Sequence, residues 1–176
     1  MSSRKFFLLF IVCAAVPLLA AQLSLSLGWF KQGSTNKGQW LQHEIQLLPD
    51  TGDPSTDSNV HWHLVYVQAA VCDQQCEQAL YTLQQLYTGM GRKQLTVKPL
   101  VMAQQQPAQL NKFPAIAWQP EQNSVNELQN QIVIVNQRGL ALLRYPVDGN
   151  PAHMRDLAKN IRTDLLRLIN YDRSGA

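Results

Sequence analysis

The sequence is short of the motifs by which many enzymes can be recognised. It has no glycine-rich phosphate loop, no G-x-S-x-G nucleophile turn and no helical pair of metal-site histidines. Charge is scarce: 15 Lys and Arg against 12 Asp and Glu leave a formal +3, and Arg4 and Lys5 at the amino terminus account for two of those charges. The rest is close to neutral and carries no basic patch interleaved with aromatics, which excludes nucleic acid as the expected partner. Cysteine is the rarest residue, with 3 in 176. Glutamine is abundant instead, as in Gln104-Gln105-Gln106, and reads as polar loop and surface rather than as chemistry.

Two of the three cysteines stand together. Cys72-Asp73-Gln74-Gln75-Cys76 follows directly on the apolar run Leu64-Val65-Tyr66-Val67. A strand that ends in two cysteines and runs into a helix presents thiols at the C-terminal edge of a sheet, where open α/β folds place their chemistry. Residues four apart on a helix share one face, so Cys72 and Cys76 can meet each other or a soft metal. A bridge that merely staples a turn is the plain alternative. Closing so short a loop removes little chain entropy, however, and an exposed junction suits redox exchange or metal capture better. Cys72 and Cys76 are thus the candidate catalytic residues and the candidate ligands of a soft metal. Cys72, nearest the helix start, is the expected attacking thiol, because the helix dipole and free N–H groups stabilise a thiolate. Cys76, one turn in, is the expected resolving thiol.

The amino terminus bears on compartment. Arg4 and Lys5 precede an apolar stretch from Phe6 to Ala21 that continues more weakly to Trp29-Phe30, about the ~20 residues that span a bilayer. The basic residues in front place residues 1–5 in the cytoplasm, 6–30 in the membrane as a signal anchor, and the remainder outside. A cleaved signal peptide ending at Ala20-Ala21 is the competing reading, weakened by the leucine three residues before either cut. Both readings export the domain, and in an oxidising compartment a nearby cysteine pair is expected as a disulfide. Cys13, mid-span, reads as an apolar residue. The expected topology is single-pass, with the C-terminal domain outside the cytoplasm.

Residues 31–59 read as a juxtamembrane linker, rich in turn formers from Pro49 to Ser55, with room for a short strand near Trp40 to Leu48. Residues 60–176 suffice for one compact domain. His61 to Gln68 is a strand dense in β-branched and aromatic residues. Cys76, Ala79, Leu80, Leu83, Leu86, Tyr87 and Met90 then repeat at helical spacing up to Gly89 and Gly91. Leu95 to Met102 is a strand, weakened at Pro99. Prolines at 107, 114 and 120 break up residues 104–131, leaving space for a short helix between Pro107 and Phe113. Ile132-Val133-Ile134-Val135, the turn Asn136-Gln137-Arg138-Gly139 and Leu140 to Tyr145 form a hairpin. Asn150-Pro151 starts the last helix, with asparagine as cap and proline in the first turn.

The remaining candidates have ordinary explanations. His61 and His63 share one face of the first strand but begin it, whereas the cysteines follow its end; His63 to Gln68 alone is about 16 Å. His43 and His153 read as solvated. Trp62, opposite the two histidines, reads as core. Trp118 is a candidate shield for the thiols. Asp73 either tunes Cys72 by its charge or simply serves the helix start.

This element order resembles that of a thioredoxin-like domain: an α/β fold with a central mixed sheet and flanking helices, here after one N-terminal transmembrane helix. The dithiol Cys72-X-X-X-Cys76 between strand and helix, the hairpin Ile132 to Tyr145 and the closing helix resemble the Sco/SenC branch of that superfamily. Trp29 through Asn36-Lys37-Gly38-Gln39-Trp40-Leu41 also looks like a group of small bacterial membrane-anchored thioredoxin-like proteins linked with cytochrome c oxidase assembly. The resemblance implies an extracytoplasmic dithiol that serves copper-centre assembly, with an oxidase subunit or a copper chaperone as partner. It implies in turn either thiol–disulfide exchange, Cu(I) carriage by Cys72 and Cys76, or an assembly module in which the cysteines merely bridge. The chain departs from that family's pattern at two points. Residues 128–131 contain no histidine to complete a copper site, and no proline stands immediately before the hairpin strand. Two thiolates alone suit Cu(I) but cannot supply a three-ligand Cu(II) site.

Overall fold

The computed structural model describes residues 3–26, 35–49, 60–69, 71–121 and 126–172. The chain divides into two compact units, Met1–Thr35 and Asn36–Ala176. The first is built on a single helix, α1 (Ser3–Ser26), with Pro17 inside it and apolar side chains such as Phe7, Phe10 and Leu18 exposed. Among the described residues no helix is long and apolar enough to cross a membrane. The predicted span of 6–30 passes beyond the described residues after Ser26, and its expected interfacial end at Trp29 and Phe30 lies outside them.

The second unit is a six-stranded sheet carrying two helices. Its elements are β1 (Gln39–Gln46), β2 (Trp62–Val67), α2 (Gln74–Thr88), β3 (Val97–Ala103), β4 (Ala117–Pro120), β5 (Gln131–Asn136), β6 (Leu140–Pro146) and α3 (Pro151–Asp172). The strand order is β1-β6-β5-β2-β3-β4. β2, β3 and β4 run parallel, while β5, β6 and β1 pair antiparallel. The sheet is therefore mixed, as a thioredoxin-like fold requires. β2 is central, which explains its unbroken apolar run: both faces of a central strand are covered. Trp62, Leu64 and Tyr66 join one core cluster with residues of α2 and α3, and Val65 and Val67 join the cluster on the opposite face with Leu47, Leu48 and Leu128.

The hairpin forms as its turn chemistry predicts. The Asn136 side chain accepts from the N–H groups of Arg138 and Leu140, and Gly139 takes a positive φ of 78°, where a side chain would be strained. Pro99 is tolerated in β3 because β4 joins only from Leu100 onward, so no ladder runs on that side at the proline.

Three expectations change. β4 lies in the stretch read as irregular; it is a four-residue edge strand ending at Pro120, too short for any period to show. Leu95 and Thr96 belong to the 3-10 turn Gly91–Thr96 rather than to β3, and Leu95 is exposed. The short strand for which the linker left room near Trp40 to Leu48 forms as β1 and pairs along β6, so the second compact unit begins at Asn36 and takes in residues expected to be linker. The residues just before β1 are tied down by Asp164 of α3, fully buried. Its Oδ2 accepts from the backbone N–H of Lys37 at 2.7 Å and Gly38 at 2.9 Å, and from the Tyr145 hydroxyl at 2.8 Å. The turn-rich stretch 50–59 lies outside the described residues.

Candidate functional site

The end of β2 carries the chain over the sheet's C-terminal edge into α2, and the two cysteines sit on that corner. Cys72 and Cys76 are joined by a disulfide, their Cα atoms 5.1 Å apart. They do not share a helical face as the spacing suggested. Asp73 is the N-cap of α2, its side chain accepting from the Cys76 N–H at 3.0 Å. Cys72 therefore lies just outside the helix and Cys76 in its first turn. This settles the role of Asp73 as a capping residue. The sulfurs are unequal: Cys76 is 1% exposed, whereas Cys72 is half-buried at the surface.

The floor of the site is polar and uncharged. Gln68, 8% exposed, places its Oε1 3.6 Å from the Cys76 sulfur, and its own N–H donates to the Met102 carbonyl. The Tyr66 hydroxyl donates to Asn130 Oδ1 at 3.3 Å; burial first, and then the charge of Asp73, hold that phenol well above its usual range. Asn130 has φ +55°. Its N–H donates to the Val67 carbonyl and its own carbonyl accepts from the Val147 N–H. The absent proline before β5 thus has a structural reading: a proline could neither adopt this φ nor make the bond to Val67.

Beside the disulfide opens a cleft of about 420 Å³. Gln68, Gln104, Gln105, Gln106, Gln109 and Gln129 line it together with Cys72 and Val71, and among the described residues Glu121 is the one charged side chain in its lining. Gln109 reaches the Cys72 carbonyl through Nε2 at 3.4 Å. Sequence reasoning read Gln104-Gln105-Gln106 as polar loop and surface, which their exposure bears out, and did not foresee that they line a cleft beside Cys72. The available signal was Gln68 as a polar end to an apolar strand, and a glutamine run in the loop after β3.

The other candidates are elsewhere. His61 and His63 stand at the start of β2, at the opposite end from the cysteines. His61 Nδ1 meets Gln137 Oε1 at 2.8 Å. His63 is half-buried, with its Nδ1 unpartnered. His43 is exposed on β1, and at the surface His153 Nδ1 lies 2.5 Å from Asp148 Oδ2. Trp62 is core. Trp118 donates its indole N–H to the Ala103 carbonyl at 3.2 Å and does not line the thiol cleft. Cys13 is a free cysteine on α1. Among the described residues no group of three or more His, Cys, Asp or Glu is placed to hold a metal ion; the pair of sulfurs alone would suit a soft, low-coordinate ion.

Comparison with known proteins agrees with this architecture. The profile of the family described as "transmembrane-like, thioredoxin-like, C-terminal domain" matches residues 62–171. No curated protein matches the sequence. Among solved structures, the chain is similar to apo Sco1 from Thermus thermophilus, with 13% identity over 78% of this chain and 99% of that one and a TM-score of 0.50. Weaker likenesses are to a SCO1/SenC family lipoprotein from Bacillus anthracis (11% identity, 68% and 94% covered, TM-score 0.40) and to BsSco, a member of the Sco family of cytochrome c oxidase assembly proteins (9%, 73% and 99%, TM-score 0.38). At these identities the likeness is one of fold, and it rests on the first.

Proposed function

This chain belongs to the family of transmembrane-like, thioredoxin-like C-terminal domains, and from that membership we propose that it is a membrane-tethered thiol–disulfide exchange protein of the bacterial periplasm that serves copper-centre assembly in a respiratory oxidase. The observation that carries the chemistry is the Cys72–Cys76 pair at the start of α2, one sulfur half-buried and the other fully covered. In the reduced protein the N-terminus of α2 favours a thiolate at Cys72. That thiolate attacks a disulfide of the partner; a Cys72–partner S–S bond forms, and the partner's other sulfur leaves and takes a proton from water. Cys76 then gives up its proton and attacks the Cys72 sulfur, restoring the Cys72–Cys76 bond and releasing the partner's second thiolate. Two electrons pass from the pair to the partner. A cysteine pair that must be reduced before it takes up copper, on an oxidase subunit or a copper chaperone, is the substrate this reading calls for.

The tether draws its support from sequence: Arg4 and Lys5 ahead of the apolar run 6–30, together with the exposed apolar side chains of α1. A C-terminal alkaline phosphatase fusion checks it. The enzyme should be active only with 1–35 present and should stay with the membrane after carbonate washing; active enzyme released in soluble form would point to cleavage instead.

Equilibrating the pair against glutathione, read by thiol alkylation, tests the exchange. We expect a midpoint well above about −300 mV, the region below which structural bridges lie; a midpoint below it would reduce the pair to a staple. In cells, deletion should lower oxidase activity, with rescue by the native chain and none by Cys72→Ser. Cu(I) as cargo between the two reduced sulfurs is a second reading, favoured by their approach alone. Competitive Cu(I) titration of the reduced protein decides it, since tight one-to-one binding lost in Cys72→Ser or Cys76→Ser is what it requires.

A further inference from the structure

A second, smaller cavity lies on the sheet face away from α2, toward the start of β2 and away from the cysteines. Leu48, Pro49, His63, Lys98, Leu100 and Gln119 line it. Its Leu48–Pro49 wall is pinned to the β5–β6 turn, where the Gly139 carbonyl accepts from the N–H groups of Leu47 at 2.9 Å and Leu48 at 3.1 Å. His63 and Lys98 are direct partners in the parallel β2–β3 register, so their side chains share a face. A cation and a group that can become one thus stand side by side, a cross-strand pairing that destabilises a sheet when nothing anionic offsets it. Among the described residues no acidic side chain lines the cavity, and neither Lys98 nor Gln119 has a side-chain hydrogen bond or ion pair. The His63 Nδ1 is buried without a partner. Burial first and the Lys98 charge second hold that ring below its usual range, the response of a histidine that faces a cation with no counter-charge.

The chemistry of the lining defines what would complete it. Lys98 supplies a positive charge, Gln119 an amide N–H, and His63 a third donor when its proton is on Nδ1. Leu48, Pro49 and Leu100 supply an apolar wall. The volume of about 130 Å³ is well under the ~300–1,000 Å³ of clefts that take drug-sized ligands, which excludes a nucleotide or a peptide. We propose that this cavity binds a small carboxylate with a short aliphatic tail, its oxygens held by Lys98, Gln119 and His63 and its tail laid against Leu48 and Leu100. The site is separate from the Cys72–Cys76 pair and stands or falls independently of the thiol-exchange reading.

The test follows the His63 ring by NMR, on the full chain in detergent micelles with its histidines labelled at the ring nitrogens. His63 is assigned by the signals lost in His63→Gln. Sodium propionate replaces sodium chloride at constant ionic strength and neutral pH, so that general screening is the same throughout. Propionate should move the His63 signals saturably, with half-saturation below about 10 mM, and leave the other histidines in place. Acetate, one methylene shorter, should bind about fourfold more weakly. Lys98→Gln, at an exposed position and checked for folding by circular dichroism, should weaken propionate binding at least tenfold. The absence of a saturable shift in the native chain would overturn the proposal. So would affinities within twofold for the native chain and Lys98→Gln, or sulfate binding as tightly as propionate.

Discussion

Asp73 and His63 are titratable residues whose surroundings set very different roles. Asp73 satisfies the Cys76 N–H, one of the orphan donors at the start of α2. Asp73→Ala should cost about 1 kcal/mol, seen as a lower urea midpoint at unchanged slope, while Asp73→Asn, which keeps the acceptor, should stay within a few tenths. His63 is held below its usual range by burial first and by the Lys98 charge second, against a backbone contact with Asn136 that pulls upward. Over the interval between its folded value and 6.5, the unfolded chain binds the proton more readily than the folded one. Stability from this residue is thus fully present above about 6.5 and falls as pH drops through the folded value. One proton limits the slope to about 1.4 kcal/mol per pH unit. Denaturant midpoints from pH 7.5 to 5 should show a shallower decline in His63→Gln than in the native chain; parallel curves would mean that His63 does not report in this window.

Elements were legible where a period or a turn code was long enough to show. β2 and β5 read as apolar runs, α2 and α3 as helical stripes, and the β5–β6 hairpin through Asn136 and Gly139. The two edge strands were not so clear. β1, Gln-Trp-Leu-Gln-His-Glu-Ile-Gln, leaves most of its residues exposed and has no apolar alternation to betray it; β4 has four residues. Their places are fixed by pairing to β6 and β3, and for β1 also by the bonds of Asp164 to the two residues before it. Asp164→Ala would strand the Lys37 and Gly38 N–H groups and the Tyr145 hydroxyl. At about 1–3 kcal/mol for each buried donor left unpaired, here the Gly38 N–H and the Tyr145 hydroxyl, a loss of about 2 kcal/mol or more is expected, together with early proteolysis within 36–46. Asp164→Asn, which still accepts, should lose less. The site follows the same rule: two cysteines in one short motif were readable, whereas a cleft assembled from glutamines of separate segments exists only once the sheet brings them together.

At the scale of the molecule, the domain boundary follows from how the sheet is finished. The second unit has its own core on both faces of the sheet, so a chain of 36–176 should fold without residues 1–35. A chain of 60–176 should not fare as well. It would lose β1 and leave β6 as an open edge with unpaired backbone groups. It would also remove Leu47 and Leu48, 7% and 6% exposed, from the core on the face away from α2, and leave the Asp164 carboxylate buried with two of its donors gone. Burying a Leu stabilises by about 1.5–3 kcal/mol, so two leucines, together with a buried carboxylate left to the Tyr145 hydroxyl and Arg167, approach the ~5–15 kcal/mol that holds a domain folded. Thermal unfolding followed by circular dichroism separates the two boundaries. The 36–176 chain should melt cooperatively within a few degrees of the full chain, whereas 60–176 should melt far lower or aggregate through its exposed edge. Equal melting of the two would make β1 an accessory of the sheet and return the boundary to residue 60.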